Sequence, residues 1–498
     1  MLSQDLLYRI FTSRHRWLTV LATLVLCAAL ALTVGYLLAE FGVLIAGAGL
    51  VALFLGLWML RDVEAAYWAV IGVVCLLPFA SFPFEIGFTP TFLDAVLGAL
   101  FLVWVLQIAT GDQREFVGTP LGLPIAVFML LAVGSFIFGL AHATPTPYVL
   151  RHFAEVLLSI ALFFLVVNTV RDAGRLRRIV RVLLLCAFAA AALGVVLYII
   201  ADQISDEFVI RALSALGRLG YPAGPGVLRY IRDDPELSMR ATSTSVDPNV
   251  LGSLLNLTLC IGVVQLFAQR PIIPRRYLVP MLGAMALCLG LTISRGSLAG
   301  VGAALAVVAT LRYRKLWLLL LVALALLLLL APGHVAHFLE GLRGEDLATQ
   351  MRFGEYKDAF ILIGRYPWLG VGFAGSPDID TYIGVSNVYL LIAEQMGLVG
   401  LASFLVVMIV FFARFWRTRT LAATGDSPES KVPELEALWW GLHTGIIGAL
   451  VGGIFDHYFF NLSFPHSVTL FWLVVGLATA ATEMIRGVEQ PAAGPGGP

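Results

Sequence analysis

Unbroken apolar runs, separated by short polar stretches, make up most of this chain. They fall near 17–38, 42–60, 65–80, 91–109, 121–141, 149–170, 179–200, 248–268, 277–293, 296–311, 316–332, 387–413, 437–455 and 466–485. Most are long enough to cross a bilayer as a helix, and none alternates apolar with polar positions as the strand of a membrane barrel does. A backbone in hydrocarbon must satisfy its own hydrogen bonds, so the pattern predicts helices. The expected fold is an all-α integral membrane protein, a polytopic bundle of about 12–14 transmembrane helices, with a twelve-span path and one re-entrant pair as the variant.

The basic residues orient this path. Arg14 and Arg16, Arg171 with Arg175, Arg177 and Arg178, Arg270 with Arg275 and Arg276, Arg312 with Arg314 and Lys315, and Arg414 with Arg417 and Arg419 all fall on one side of an alternating fourteen-span chain. By the positive-inside rule that side is cytoplasmic, as are both termini. The two long polar segments, 201–247 and 333–386, are then extracytoplasmic, and both carry helix-like periodicity and arginines. Long loops of this kind are functional or disordered, and these read as functional. Residues 1–486 are expected to form a single transmembrane domain, and 487–498, ending QPAAGPGGP, a disordered tail.

Composition agrees with the pattern. The chain of 498 residues is 59% hydrophobic and 13% charged, about half the charge of a soluble domain. Its formal net charge is zero, so no nucleic-acid partner is implied. The five cysteines lie in apolar runs without metal-ligand spacing. There is no GxxxxGK[ST] loop, so no internal ATPase is expected and the energy for any chemistry arrives with the substrate. No internal repeat is visible, which disfavours many transporter designs.

Three arginines stand out. Arg240 opens RATSTSVDPNVLG just before a run, Arg295 sits in TISRGSLAG where two runs meet, and Arg352 sits in TQMRFGEYKDAF. A guanidinium is a rigid, permanently charged fork that matches phosphate oxygens, and three converging forks suit a lipid-linked diphosphate. Each also has a plainer reading: Arg295 as an interfacial anchor, Arg352 paired with Glu355 three residues on, and Arg240 as a surface charge. Asp247, Pro248 and Asn249 form a turn able to cap the next helix.

In SNVYLLIAEQMGLVG, Asn387 and Glu394 are seven residues apart, on one helix face and separated by about 10 Å of rise. Ser386, Asn387 and Tyr389 are expected to line an outward cleft, with Glu394 beneath it, paired or facing water. Asp378 and Asp380 form an Asp-x-Asp pair that reads as a solvated turn. His457 and His466 flank DHYFFNLSFPH without metal spacing and read as structural or interfacial. No metal or other cofactor is expected.

In order, RATSTSVDPNVLG, SRGSLAG, MRFGEYKDAFILIGRYPWLGVGF and SNVYLLIAEQMGLVG resemble the O-antigen ligase and polymerase family over about 236–410. The resemblance implies a C-type glycosyltransferase-like fold. It also implies transfer of glycans from an undecaprenyl (polyprenyl) diphosphate donor to an acceptor hydroxyl of a glycan or glycolipid, outside the bacterial inner membrane. Other polysaccharide-assembly proteins are possible partners. The family's diphosphate-binding arginines map onto Arg240, Arg295 and Arg352. Its ligase histidine maps onto Ser386, and a serine is no unassisted base near neutral pH. That leaves Asp380, Glu355 and Glu394 as candidate bases. A flippase or exporter of lipid-linked sugars, and a non-catalytic assembly subunit, are the rival readings.

Overall fold

The computed structural model describes residues 61–488 apart from 86, 112–115, 232–233, 331–332, 334–339, 342, 345–346, 377–379, 382–383 and 425–431, together with scattered positions before 61. The chain divides into Met1–Asp62 and Val63–Pro498. The runs at 17–38 and 42–60, Asp378 and nearly all of the tail 487–498 lie largely or wholly outside the described residues.

Within Val63–Pro498 the apolar runs become helices: α1 (Val63–Leu76), α2 (Phe92–Thr110), α3 (Gly122–Gly139), α4 (Pro147–Thr169) and α5 (Ala173–Gln203). After a short α6 (Asp206–Ser214) come α7 (Pro248–Val264), α8 (Arg275–Thr292), α9 (Arg295–Leu311) and α10 (Leu316–Leu330). The last four are α11 (Leu347–Arg365), α12 (Val388–Thr424), α13 (Val432–Gly452) and α14 (Pro465–Val488). The chain is an all-α polytopic membrane protein, and 76% of the described residues are helical. Among the described residues seven helices are long and apolar enough to cross a membrane, with α1, α9 and α10 shorter apolar ones. In segment 201–247 the helical pattern yields only α6. The rest is short turns and a two-stranded antiparallel hairpin, β1 (Arg229–Tyr230) with β2 (Met239–Arg240).

Local chemistry fixes several helix starts. Thr91 and Asp94 form a reciprocal capping box on α2, and Thr146 caps α4 ahead of Pro147. The core is built where α7, α9 and α13 pack together and α14 lies against α4 and α13. Asn256 of α7 donates from Nδ2 to the Gly448 carbonyl at 2.8 Å. Gly300 and Gly448 leave room for that amide; a Cβ on Gly448 would stand 2.6 Å from Asn256 Oδ1. Small residues and one interhelical hydrogen bond are the expected adhesive in lipid, where the hydrophobic effect gives helices no reason to associate.

The run at 387–413, continuous by hydropathy, is two helices. Gly397 has φ 70° and ψ 179°, which breaks α12. The loop 366–373 fills the break: Val371 and Gly372 donate N–H groups to the Glu394 and Gln395 carbonyls (2.9 and 3.0 Å), and Leu398 donates to the Pro367 carbonyl (2.7 Å). Ser135 of α3 donates to the Leu369 carbonyl at 2.6 Å. Irregular backbone at this depth is tolerated because protein, not lipid, satisfies it.

Ion pairs tie helix ends on the face that bears the basic clusters. Arg178 grips Glu64 through two hydrogen bonds of 2.6 and 2.8 Å. Arg312 holds Glu436 at 2.7 and 3.0 Å, and Arg414 holds Glu483 at 3.1 and 2.9 Å. These pairs bring the ends of α1 and α5, of α9 and α13, and of α12 and α14 to one side, as the alternating path requires.

Candidate functional site

Two strained turns carry the first two arginines. Between Arg240 and α7 lies a turn in which Ser243 and Val246 have positive φ (53° and 61°). Between α8 and Arg295 stands Ile293 at φ 55°. Val246 and Ile293 are β-branched, and such residues enter the left-handed region only when surrounding structure holds them there; strain of this kind gathers at functional sites. The turns are knitted together. Ala241 donates its N–H to the Leu291 carbonyl (2.9 Å) and Arg240 donates from Nε to the Thr292 carbonyl (2.8 Å), capping the end of α8. Arg240 Nη2 donates to Asn249 Oδ1 at 2.7 Å. These bonds orient the fork through neutral groups. Asp247 caps α7 as its sequence suggests, accepting from the Asn249 and Val250 N–H groups at 2.7 and 3.2 Å.

Arg295 opens α9, and its Nη1 is shielded from solvent. A Cβ on Gly341 would overlap its guanidinium, so the absence of a side chain there lets the segment before α11 lie against Arg295. Gly296 has a similar role toward α13: a Cβ on it would meet Phe455 Cβ at 2.8 Å and Asp456 Oδ2 at 3.2 Å.

Helix α11 brings the third arginine. Arg352 Nη2 lies 3.6 Å from Asp456 Oδ1, and this distant acid, not Glu355, is its carboxylate partner. Glu355 instead accepts the Ser386 N–H on Oε2 at 2.9 Å. Tyr356 OH donates toward the Ser386 and Ile454 carbonyls at 3.3 and 3.4 Å. Glu355 and Tyr356 therefore dock α11 onto the turn before α12, and Arg352 ties it to the loop after α13.

That turn is held on its other side by the loop between α13 and α14. Asn387 caps α12, its Oδ1 accepting from the Tyr389 and Leu390 N–H groups at 2.9 and 3.0 Å, while its Nδ2 donates to the Ile454 carbonyl at 2.9 Å. Val388 donates its N–H to the Gly453 carbonyl (2.8 Å), and Tyr389 OH donates to the Leu450 carbonyl (2.8 Å). His457 Nδ1 is 3.0 Å from the Val385 carbonyl, and Tyr458 OH reaches Asp247 Oδ1 at 3.4 Å.

Asp456 is the centre of this arrangement. Its side chain is 13% exposed, and it feels the charges of both Arg352 and Arg240. Burial lifts its pKa to about 7, with Asp247 and Glu355 adding to the lift and the two arginines opposing it. Arg240 in turn feels Arg295 as a like charge and Asp456 and Asp247 as opposite ones. Arg240 and Arg352, far apart in sequence and on different elements, thus share one acid, and Arg295 stands close enough to Arg240 to be felt as a like charge.

The other sequence candidates are distributed unevenly. Ser386, Asn387 and Tyr389 are half-buried at the site, and Glu355 joins them. Glu394 is fully buried, its main chain under the 366–373 loop, and among the described residues no arginine pairs with it. Asp380 is exposed in a turn, and no described contact brings it to the arginines. His466 is buried edge-on against Phe79 at 4.8 Å, a structural position. The sequence reading missed Asp456 and Tyr356 and took His457 for a structural residue. The available signal for Asp456 was an acid following the apolar stretch GGIF at the end of a span.

Residues 280–405 match the O-antigen ligase (Wzy_C) family model. The matched range bears out the resemblance read from the motifs and includes Arg295, Arg352, Glu355, Ser386 and Glu394; Arg240 and Asp456 lie outside it. No curated protein matches the chain. The match supports a glycan-transferring role at a membrane.

Proposed function

We propose that this protein is a membrane glycosyltransferase that moves a glycan from a polyprenyl diphosphate carrier to the hydroxyl of another glycan or glycolipid. Arg240, Arg295 and Arg352 hold the diphosphate. The observation that carries this reading is that Arg240 and Arg352 share Asp456 while Arg295 stands near Arg240. In the resting site that acid, its pKa lifted to about 7, is a shared counter-charge for two of them, with Asp247 a further one for Arg240. A diphosphate brings more negative charge than one carboxylate and matches guanidinium forks in pairs of oxygens.

As the bond between the anomeric carbon and the phosphate breaks, charge builds on the departing diphosphate. Preoriented cations in a water-poor cleft stabilise that charge more than they stabilise the ground state. Arg240, already oriented by Thr292 and Asn249, need not reorganise to do so. The acceptor oxygen attacks from the opposite side of the anomeric carbon, so inversion is the expected outcome. By the distribution of basic residues the cleft opens on the extracytoplasmic side of a bacterial inner membrane, with both termini cytoplasmic.

The test is a purified system with polyprenyl diphosphate-linked oligosaccharide and acceptor, read by mass spectrometry of both glycan and lipid. Glycan lengthening with equimolar release of lipid diphosphate is expected, and Arg295→Ala should lose it while remaining folded in the membrane. Movement of the donor between leaflets without lengthening would replace this reading with a carrier. Undiminished turnover by Arg295→Ala would remove the role assigned to the arginines.

A further inference from the structure

The proposed transfer needs a group to receive the acceptor's proton, and the carboxylates near the cleft are engaged elsewhere. Glu355 Oε2 accepts the Ser386 N–H, Asp456 faces Arg352, and Glu394 is sealed inside the bundle. His457 differs. It follows Asp456 on the loop between α13 and α14, and its Nδ1 is 3.0 Å from the Val385 carbonyl. A carbonyl only accepts, so Nδ1 carries the hydrogen and, in the neutral ring, Nε2 carries the lone pair. Phe464 stacks on the ring (centroids 5.9 Å apart, 29° between planes) and Tyr458 meets it edge-on at 5.2 Å, so its plane is fixed. Among the described residues no hydrogen-bond partner occupies Nε2, and that atom is not among the fully buried polar atoms.

The surroundings suit a base. Glu355 and Arg352 face His457 from α11, and Asp247 faces it from the turn before α7. Burial lowers its pKa below the ordinary 6.5, which keeps the ring neutral at pH 7. The imidazole is anchored to the carbonyl of Val385, the residue before Ser386, whose own N–H is held by Glu355. It is therefore fixed to the segment that carries Ser386.

We propose that His457 is the catalytic base of the transfer, acting through Nε2. The acceptor hydroxyl gives its proton to Nε2 as its oxygen bonds to the anomeric carbon. The bond from that carbon to the phosphate oxygen breaks, and its electron pair leaves with the lipid diphosphate. The proton then passes from Nε2 to the released diphosphate or to water, restoring the neutral ring. This assignment rests on the glycosyltransferase reading above.

The experiment compares wild type, His457→Asn and His457→Ala in the same purified transfer assay across pH, with donor binding measured separately. An asparagine amide can still donate to the Val385 carbonyl but offers no basic nitrogen. General bases contribute on the order of 100-fold or more, so His457→Asn should lose about that much turnover while keeping fold and donor affinity. Wild-type turnover should fall on acidification through the imidazole titration, and that limb should vanish in His457→Asn. Added imidazole should partly restore His457→Ala. Wild-type-like turnover and pH profile in His457→Asn would overturn the assignment and leave the glycosyltransferase reading standing. Absence of transfer by wild type with any donor would overturn both.

Discussion

The two ends of the helix bundle treat their arginines in opposite ways. On the face with the basic clusters, Arg178, Arg312 and Arg414 each grip a glutamate through two hydrogen bonds. At the other end, Arg240 is oriented by a carbonyl and an amide, and Arg352 stands 3.6 Å from Asp456, whose pKa burial lifts to about 7. The first set has its charge matched inside the protein and serves to tie helix ends. In the second, Arg240 has its geometry fixed by neutral groups and shares one acid with Arg352, an arrangement that suits the diphosphate site proposed above. Pairing chemistry, more than the number of arginines, separates a staple from an anion site.

The sharpest way to break this comparison is to delete one arginine from each end. Arg352→Ala should lower turnover by about 100-fold or more, the usual cost of removing a donor that stabilises developing charge, without loss of folded protein. Arg178→Ala should do the reverse. It leaves the Glu64 carboxylate, 9% exposed, without its two charge-assisted bonds. That change should lower stability by on the order of 2 kcal/mol, seen as a lower Tm in detergent, with turnover per folded molecule unchanged. Equal effects of the two variants on turnover would erase the distinction.

Asp456 sharpens the comparison from the side of the acid. Its pKa of about 7 is raised by burial, so the neutral form prevails below pH 7 and the anion above it. An anionic Asp456 competes with the diphosphate for the arginines. Donor affinity should therefore weaken as pH rises, by up to about tenfold between roughly pH 6 and pH 8, and Asp456→Asn should flatten that dependence. Equilibrium binding of the lipid-linked donor across pH is the measurement. The smallest effect belongs to Arg270→Ala. The pair Arg270–Glu434 has side chains 76% and 45% exposed, so its loss should shift stability by less than about 1 kcal/mol and leave transfer untouched.

Much of this molecule was legible in its sequence, because a bilayer imposes a local rule. Every apolar run from 65–80 onward became a helix, including the short ones at 65–80 and 277–293, since no other structure satisfies the backbone in hydrocarbon. Caps such as Asp247 ahead of Pro248 were legible for the same reason: donor and acceptor lie within three residues of each other. The three site arginines were visible because charge beside an apolar run is conspicuous.

Contacts between distant segments were not legible. The run 387–413 reads as one span although Glu394 and Gln395 stand just before Gly397; the break in α12 at that glycine is held by the 366–373 backbone, which fills it. The strained Val246 and Ile293 are ordinary residues in sequence, and only the knitting of their turns holds them at positive φ. Asp456 and His457 looked like the polar edge of a loop. Their meaning comes from Arg352, Arg240 and Val385, each at least 70 residues away in the chain. The sequence by itself determined the helices, their alternation and the presence of unusual arginines, since all three follow from solvation of nearby residues. Only the tertiary structure decided which acid Arg240 and Arg352 share and which ring nitrogen of His457 is left with its lone pair, since both depend on contacts between elements that no local pattern encodes.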